Sequence, residues 1–207
     1  MHNNTSQLLF AYWDQLRAGR RAPKRTEINP ASIAEILPQT MLLECNSLDN
    51  YRFRIAGTKL CEYFGMELRG HNFLELWQSF DRKILQEKLQ TVTKHCRTTV
   101  FSVQSRNSYG EIICSELLML PLCAPDGTIH RLLGAWSLEE NAPWNGHTHI
   151  TEHALIAPTQ ANQQKTSASS KIEACHATPN ANQPSPLYSR FISAQRRRFR
   201  VYDGGRP

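Results

Sequence analysis

Apolar residues recur along the first 140 positions with the periods of helices and strands. Near the N-terminus, five of them follow a 3.6-residue period: Leu8, Leu9, Tyr12, Trp13 and Leu16. This pattern predicts an amphipathic helix, and Gly19 followed by Pro23 predicts its end. Arginines and lysines follow the helix. The helix is interpreted as a capping helix with a solvated basic end or, because Tyr12 and Trp13 would be costly to leave in water, as a contact between two copies.

Two strands are predicted next. "TMLLEC" (40–45) is apolar, and in "YRFRIAG" (51–57) the apolar Tyr51, Phe53 and Ile55 alternate with arginines. Such alternation is typical of an antiparallel strand with one buried face. The alternation in the second strand therefore predicts that the side chains of Tyr51, Phe53 and Ile55 point into a core.

Helical patterns follow the second strand. A short helix is predicted over "KLCEYF" (59–64), with Gly65 ending it in the left-handed conformation, and Asn72 is predicted to cap a further turn. A longer helix is predicted from about Asp81 to Lys94. Its apolar face consists of Ile84, Leu85, Leu89 and Val92.

Three strands are predicted after the long helix: "TTVFSVQSR", "EIICSELLMLPL" and "HRLLGAWSL". "NSYG" and "APDG" join them and have the composition of tight turns. After about Glu140 the chain becomes rich in Ala, Asn, Gln, Ser, Thr and Pro, a composition that predicts disorder. The predicted divisions are a helix with a basic linker (1–28), a domain (29–140), a low-complexity linker (141–188) and a basic tail (189–207).

Composition and charge change this picture in two ways. Most of the formal charge of +6 lies in residues 189–207, which hold six arginines and one aspartate, a net +5. The six cysteines form no C-x-x-C pair, which argues against a zinc finger or a disulfide framework. No stretch resembles a membrane span or a secretory signal, so a cytoplasmic protein is expected.

The element order, two strands, short helices, one long helix and three strands, resembles that of a PAS domain. More closely, the chain resembles the single-domain PAS proteins of alphaproteobacteria. The resemblance rests on "YWDQLRAGRRAPKRTEINPASIAEILP", "YRFRIAGTKLCEYFGMELRGHNFLELW" and the terminal "FRVYDGGRP". It implies an α/β (α+β) fold with a five-stranded antiparallel sheet and helices on one face. It also implies a non-enzymatic regulatory module that acts by protein–protein contact.

The resemblance places a ligand pocket, where one exists, between the sheet and the helices. The candidate lining is apolar and is interpreted either as a filled core or as a small cavity. Its residues are Phe53, Ile55, Leu60, Phe64, Phe73, Leu76, Trp77, Phe101, Leu117, Met119, Leu133 and Trp136. No catalytic residue and no metal ligand is predicted.

No cofactor is predicted, and a small-molecule or haem sensor is the first alternative. Haem would need an axial ligand such as His71 or His95. Flavin photochemistry is disfavoured because Cys61 lies in "TKLCEYFG" rather than in an Asn-Cys-Arg context. His147, His149 and His153 resemble a metal site, but an incidental polar loop is favoured over zinc.

The basic tail supports the second alternative, a nucleic-acid-binding regulator. The candidate partner-binding residues are Tyr12, Trp13, Arg196, Arg197, Arg198, Phe199 and Arg200. We expect a protein partner in a signalling pathway, with a homodimer through the N-terminal helix. The sequence does not identify the partner, the signal or the ligand.

Overall fold

The computed structural model describes residues 1–138 and 149–159, with side chains as far as Ile156. The helices are α1 (Asn4–Arg17), α2 (Thr58–Phe64) and α3 (Ser79–His95), with short 3-10 turns at Arg25–Glu27, Pro30–Ile33, Leu37–Gln39 and Phe73–Leu76. The strands are β1 (Thr40–Ser47), β2 (Asn50–Ala56), β3 (Thr99–Asn107), β4 (Ile112–Cys123), β5 (Ile129–Leu138) and β6 (Ile150–Thr159). The predicted helices and the five predicted strands are confirmed.

All the strands belong to one antiparallel sheet with the order β2-β1-β5-β4-β3-β6. The last of the five predicted strands, β5, lies between β1 and β4, so both halves of the domain meet at the centre of the sheet. The described residues form six strands, one more than the five predicted. β6 pairs along β3, although the linker prediction for 141–188 covered its residues.

Both faces of the sheet are covered. α2, the Phe73–Leu76 turn and α3 lie over one face, which we call the inner face. α1, the N-terminal helix that was predicted separately from the helices on one face, packs on the opposite, outer face. The outer core contains Leu9, Trp13, Ile33, Ile36, Leu42, Val100, Leu118, Leu120, Leu122, Leu133 and Ala135.

A close backbone approach fixes the start of α2. Gly57 precedes the helix, and its N–H donates to the carbonyl of Thr40 at 2.8 Å. A Cβ atom at Gly57 would lie 2.3 Å from the carbonyl oxygens of both Leu37 and Pro38, so only glycine fits here. At the other end of α2, Gly65 adopts a φ of 60° and closes the helix, as predicted. No helix in the described ranges is long and apolar enough to cross a membrane.

Candidate functional site

The inner face carries a cluster of aromatic rings between the sheet and the helices. Trp77 and Trp136 stack with ring centroids 5.4 Å apart and planes 11° from parallel. Phe64 meets Trp136 edge-on at 5.2 Å, and Phe73 meets Trp77 at 5.9 Å. Phe53 joins this cluster through its contact with Phe73, with ring centroids 5.9 Å apart. Edge-on and offset contacts of this kind add to the stability that burial alone provides.

Local capping positions several of these rings. Asn72 accepts hydrogen bonds from the N–H groups of Leu74 at 3.3 Å and Tyr51 at 3.0 Å, and it donates to the carbonyl of Asp49 at 3.0 Å. One side chain therefore joins the start of β2 to the turn that carries Phe73. The predicted capping role of Asn72 is confirmed, and its bonds to β2 are an addition to it.

Most of the predicted pocket residues are buried. The buried ones are Phe53, Leu60, Phe64, Phe73, Leu76, Trp77, Phe101, Leu117, Met119, Leu133 and Trp136. Leu133, however, belongs to the outer core, because it packs with residues that contact α1. Burial fits a filled core and a ligand pocket equally, so the interpretation as a pocket remains a prediction.

Ile55 was predicted to point inward, and this was wrong, because its side chain is 52% exposed. Leu42 pairs with Ile55, but Leu43 pairs with Phe53, so β2 has one extra residue at this point. Such a bulge breaks the period of two that the alternation of "YRFRIAG" implied. Phe53 keeps its inward position, and Ile55 turns away.

His153, on β6, completes the inner cluster, and sequence reasoning assigned it to a polar loop. Its ring lies 4.5 Å from Trp77 at 90°, 5.6 Å from Phe64 and 5.7 Å from Trp136. The residue as a whole is half-buried, but its Nε2 atom has no contact with solvent and no hydrogen-bond partner. Burial lowers the pKa of His153 to about 4, while its hydrogen bond to the carbonyl of Leu76 acts in the opposite direction.

A second buried polar atom of this cluster has no partner. Nε1 of Trp77 is out of contact with solvent and has no hydrogen-bond acceptor. Nε1 of Trp136, by contrast, donates to Oγ of Ser115 at 2.9 Å. The inner face therefore holds an unsatisfied donor on Trp77 and an unsatisfied ring nitrogen on His153.

The histidines that resemble a metal site in the sequence, for which an incidental polar loop was favoured, do not come together among the described residues. Nδ1 of His149 lies 3.1 Å from the carbonyl oxygen of Glu62, whereas His153 lies in the aromatic cluster. His147 lies outside the described residues. Within the described part of the chain, no group of three potential ligands converges on a metal position.

The surroundings of the residues proposed for haem or flavin binding give these two alternatives little support. Neither His71 nor His95 is fully buried, and His95 is exposed at the end of α3. Among the described residues, the one buried imidazole nitrogen without a partner belongs to His153, which lies against the rings of Trp77 and Trp136. Burial raises the pKa of the Cys61 thiol, the opposite of what activates a cysteine.

The prediction that Trp13 is available to a partner was wrong. Trp13 is 2% exposed, and its Nε1 donates to the carbonyl of Pro121 at 2.8 Å. The guanidinium of Arg17 covers its ring at 5.2 Å from the centroid. Tyr12 is half-buried, and its hydroxyl accepts from the N–H of Asn29 at 2.7 Å. The sequence pattern identified an apolar face, which packs on the chain's own sheet.

The other predicted partner residues, Arg196, Arg197, Arg198, Phe199 and Arg200, lie outside the described residues. The basic residues that follow α1 are partly engaged within the chain: the guanidinium of Arg20 donates to both carboxylate oxygens of Glu27 at 3.0 Å. Lys24 and Arg25 line a cleft of about 570 Å³ together with Arg131.

Three solved structures to which the fold is similar are light-oxygen-voltage domains. The one described as "Flavin Analogue Sheds Light on Light-Oxygen-Voltage Domain Mechanism" is 15% identical, with 49% of this chain and 77% of that chain covered and a TM-score of 0.39. The light-state Aureochrome1 LOV domain is 13% identical, with 55% and 90% covered and a TM-score of 0.41. The LOV protein of Rhodobacter sphaeroides is 12% identical, with 50% and 60% covered and a TM-score of 0.41.

These likenesses are too distant to carry information about a ligand or an activity of this chain. No curated protein matches the chain. The model of one family, described as PAS domain, matches residues 1–137, which extend from the segment before α1 almost to the end of β5. This match includes both layers that cover the sheet and leaves out β6. The chain therefore belongs to the PAS-domain family, whose members are sensory modules of signalling proteins.

Proposed function

We propose that this protein is a non-enzymatic, cytoplasmic signalling module that transmits its signal by contact with a partner protein. Membership of the PAS family supports the proposal, since PAS domains commonly mediate protein interactions in signalling. The observation that carries it is the match of the PAS family model to residues 1–137, which include the helices on both faces of the sheet.

The burial of Trp13 restricts where a partner can bind. α1 presents Leu8, 43% exposed, on its outward side, and its large aromatic residue is committed to the sheet. A homodimer through α1 would therefore rest on little apolar area. We place the contact instead on the tail, where four arginines and Phe199 suit an acidic protein surface.

The test compares two variants of the full chain that lose the same charge. One replaces Arg196, Arg197, Arg198 and Arg200 with serine. The control replaces four exposed cations of the folded domain with serine: Lys59, Arg69, Lys83 and Lys94. A protein captured by the wild-type chain is purified, and its affinity for each form is measured by calorimetry. We expect the tail variant to bind at least tenfold more weakly and the control to bind as the wild type does.

Equal affinity of the tail variant and the wild type would refute the tail as the contact site. The same two variants address the nucleic-acid alternative, through titration with DNA and RNA over a range of salt concentrations. Loss of nucleic-acid affinity in the tail variant alone, with a reduced salt slope, would favour that alternative over a protein partner.

A ligand sensor is the second candidate function, and one specific observation favours it. The unsatisfied Nε1 of Trp77 and Nε2 of His153 lie in the same aromatic cluster, and buried polar atoms without partners are rare in proteins. A small molecule that accepts from the first and donates to the second would satisfy both. Native mass spectrometry and a visible spectrum of freshly purified protein test this, since bound haem or flavin absorbs visible light. A colourless protein of exactly the chain mass would exclude a co-purifying ligand.

A further inference from the structure

A cavity on the outer face lies apart from the aromatic cluster. It has a volume of about 570 Å³ and lies between the N-terminal end of α1 and the part of the sheet that α1 does not cover. Its floor includes Ser102, Cys114 and Glu116, and Ile156 of β6 forms a wall. This volume is within the range of small-molecule sites.

Glu116 is the charged residue in the floor of this cavity. Glu116 is only 8% exposed. Its Oε2 atom accepts from the N–H of His2 at 2.8 Å, but its Oε1 atom has neither solvent contact nor a hydrogen-bond partner. A carboxylate accepts about four hydrogen bonds, so this one is far from saturated. A buried, poorly solvated carboxylate calls for a cationic or hydrogen-bond-donating partner.

Two buried hydroxyl groups add to the unsatisfied polarity under α1. Ser137 is paired directly opposite Glu116 on the neighbouring strand, and Ser6 lies in the first turn of α1. The Oγ atoms of both serines are buried without a hydrogen-bond partner. Three polar oxygens thus lack partners in the same layer between α1 and the sheet.

The N-terminus of α1 does not account for the carboxylate. Asn3 caps this helix, since its Oδ1 atom accepts from the N–H of Thr5 at 2.9 Å. Its amide group donates to the carbonyl of Leu138 at 2.8 Å. The donor to Glu116 is therefore the N–H of His2, which precedes the cap, and the helix dipole adds only a general preference for negative charge.

The remaining lining indicates the class of ligand. Among the described residues, no lysine or arginine lines the cavity; its lining includes the amide side chains of Asn4 and Gln7, and Ile156, 56% exposed, offers an apolar surface. We propose that this cavity binds a small organic cation, a primary ammonium or guanidinium compound, through the Glu116 carboxylate. The charged head binds near Glu116, and the carbon chain lies against Ile156. The residues of this site are different from those of the aromatic cluster on the inner face.

The experiment titrates the full chain with butylammonium chloride and butylguanidinium chloride. 1-Butanol serves as the uncharged match and sodium chloride as the match in ionic strength. Binding is measured by calorimetry and by the shift in melting temperature. We expect saturable binding of the two cations and none of butanol. Glu116→Gln keeps an acceptor for His2 but removes the charge, so we expect its affinity to fall at least tenfold.

Two further variants separate a ligand site from a structural role of Glu116. Glu152→Gln removes the same charge from an exposed position of β6 outside the cavity lining, and it should bind as the wild type does. Ile156→Trp leaves the carboxylate intact but fills the cavity, and it should weaken binding even if Glu116→Gln fails to fold. Absence of saturable binding to the wild type, or equal binding by Ile156→Trp, would overturn the proposal.

Discussion

The two faces of the sheet are both covered, but they are built from different side chains. The outer face packs aliphatic residues against α1, and its tryptophan, Trp13, donates its indole N–H to the carbonyl of Pro121. The inner face packs aromatic rings, and its central tryptophan, Trp77, leaves the same group without a partner. The N–H of Trp13 is thus satisfied in the outer layer and that of Trp77 is unsatisfied in the inner one, although both layers hold other buried polar atoms without a partner.

This difference follows from how each layer is made. The 14-residue helix α1 packs on the outer face together with Ile33 and Ile36 from the segment that follows it, and Ser6, Leu9 and Trp13 all lie on the buried side of the helix. Short elements cover the inner face together with α3, and His153 reaches it from the added strand β6.

The largest expected effect is that of Trp136→Ala on the inner face. Trp136 is 1% exposed, contacts Trp77, Phe64 and His153, and donates to Ser115. Removing its ring leaves a cavity and takes away the hydrogen bond that the Ser115 hydroxyl accepts, while that hydroxyl still donates to the carbonyl of Val103 at 3.4 Å. We expect the free energy of unfolding to fall by about 3–5 kcal/mol, as measured by urea denaturation.

Trp13→Ala removes the same ring from the outer face and is the matched comparison. Only one side of α1 packs on the rest of the domain. We therefore expect hydrogen exchange to show a loss of protection in α1 before it shows a loss of protection in β3 and β4. If β3 and β4 lose protection as strongly as they do in Trp136→Ala, the two layers unfold as one unit, and the contrast between them does not extend to stability.

A smaller effect is expected from the titration of His153. Above its ordinary pKa near 6.5, the imidazole is neutral in both the folded and the unfolded chain, and it makes no pH-dependent contribution. Between about 6.5 and about 4 the unfolded chain binds a proton that the folded chain does not, so stability falls as the pH falls. Between pH 7.5 and pH 5.0 we expect His153 to account for a loss of about 2 kcal/mol.

His153→Phe isolates this contribution, because phenylalanine keeps a ring in the cluster and does not titrate. The free energy of unfolding of this variant should depend less on pH than that of the wild type over the same range. His95→Gln, at an exposed position, is the control and should follow the wild type. An unchanged pH dependence in His153→Phe would mean that the imidazole is accessible to protons in the folded protein.

Local patterns in the sequence predicted most of the fold. The 3.6-residue period of α1, the turn residues around Gly110 and Gly127, and the cap at Asn72 all act within a few residues, so the sequence displays them directly. The inward positions of Phe53 and Trp136 were predictable for the same reason.

Contacts between distant segments were not predictable. The bulge that exposes Ile55 arises from its pairing with β1, and the burial of Trp13 depends on a sheet more than 100 residues away. β6 was not predicted, because its composition is polar. From Thr151 to Ile156 of "HITEHALI", half-buried and exposed residues alternate. From the sequence, His153 was assigned to a polar loop. The pairing of β6 with β3 shows instead that it lies on a strand.

The smallest expected effect is the one that tests the contrast between the two indole groups. Trp13→Phe loses the hydrogen bond to Pro121 and leaves a buried carbonyl with one partner fewer, whereas Trp77→Phe removes an N–H that has no acceptor. We expect Trp13→Phe to lower the free energy of unfolding by about 1 kcal/mol more than Trp77→Phe does, as measured by urea denaturation. Trp136→Phe also loses an indole hydrogen bond, to Ser115, and should resemble Trp13→Phe. If Trp77→Phe is as costly as the other two, the indole of Trp77 has a partner in solution, and the contrast between the two indole groups does not hold.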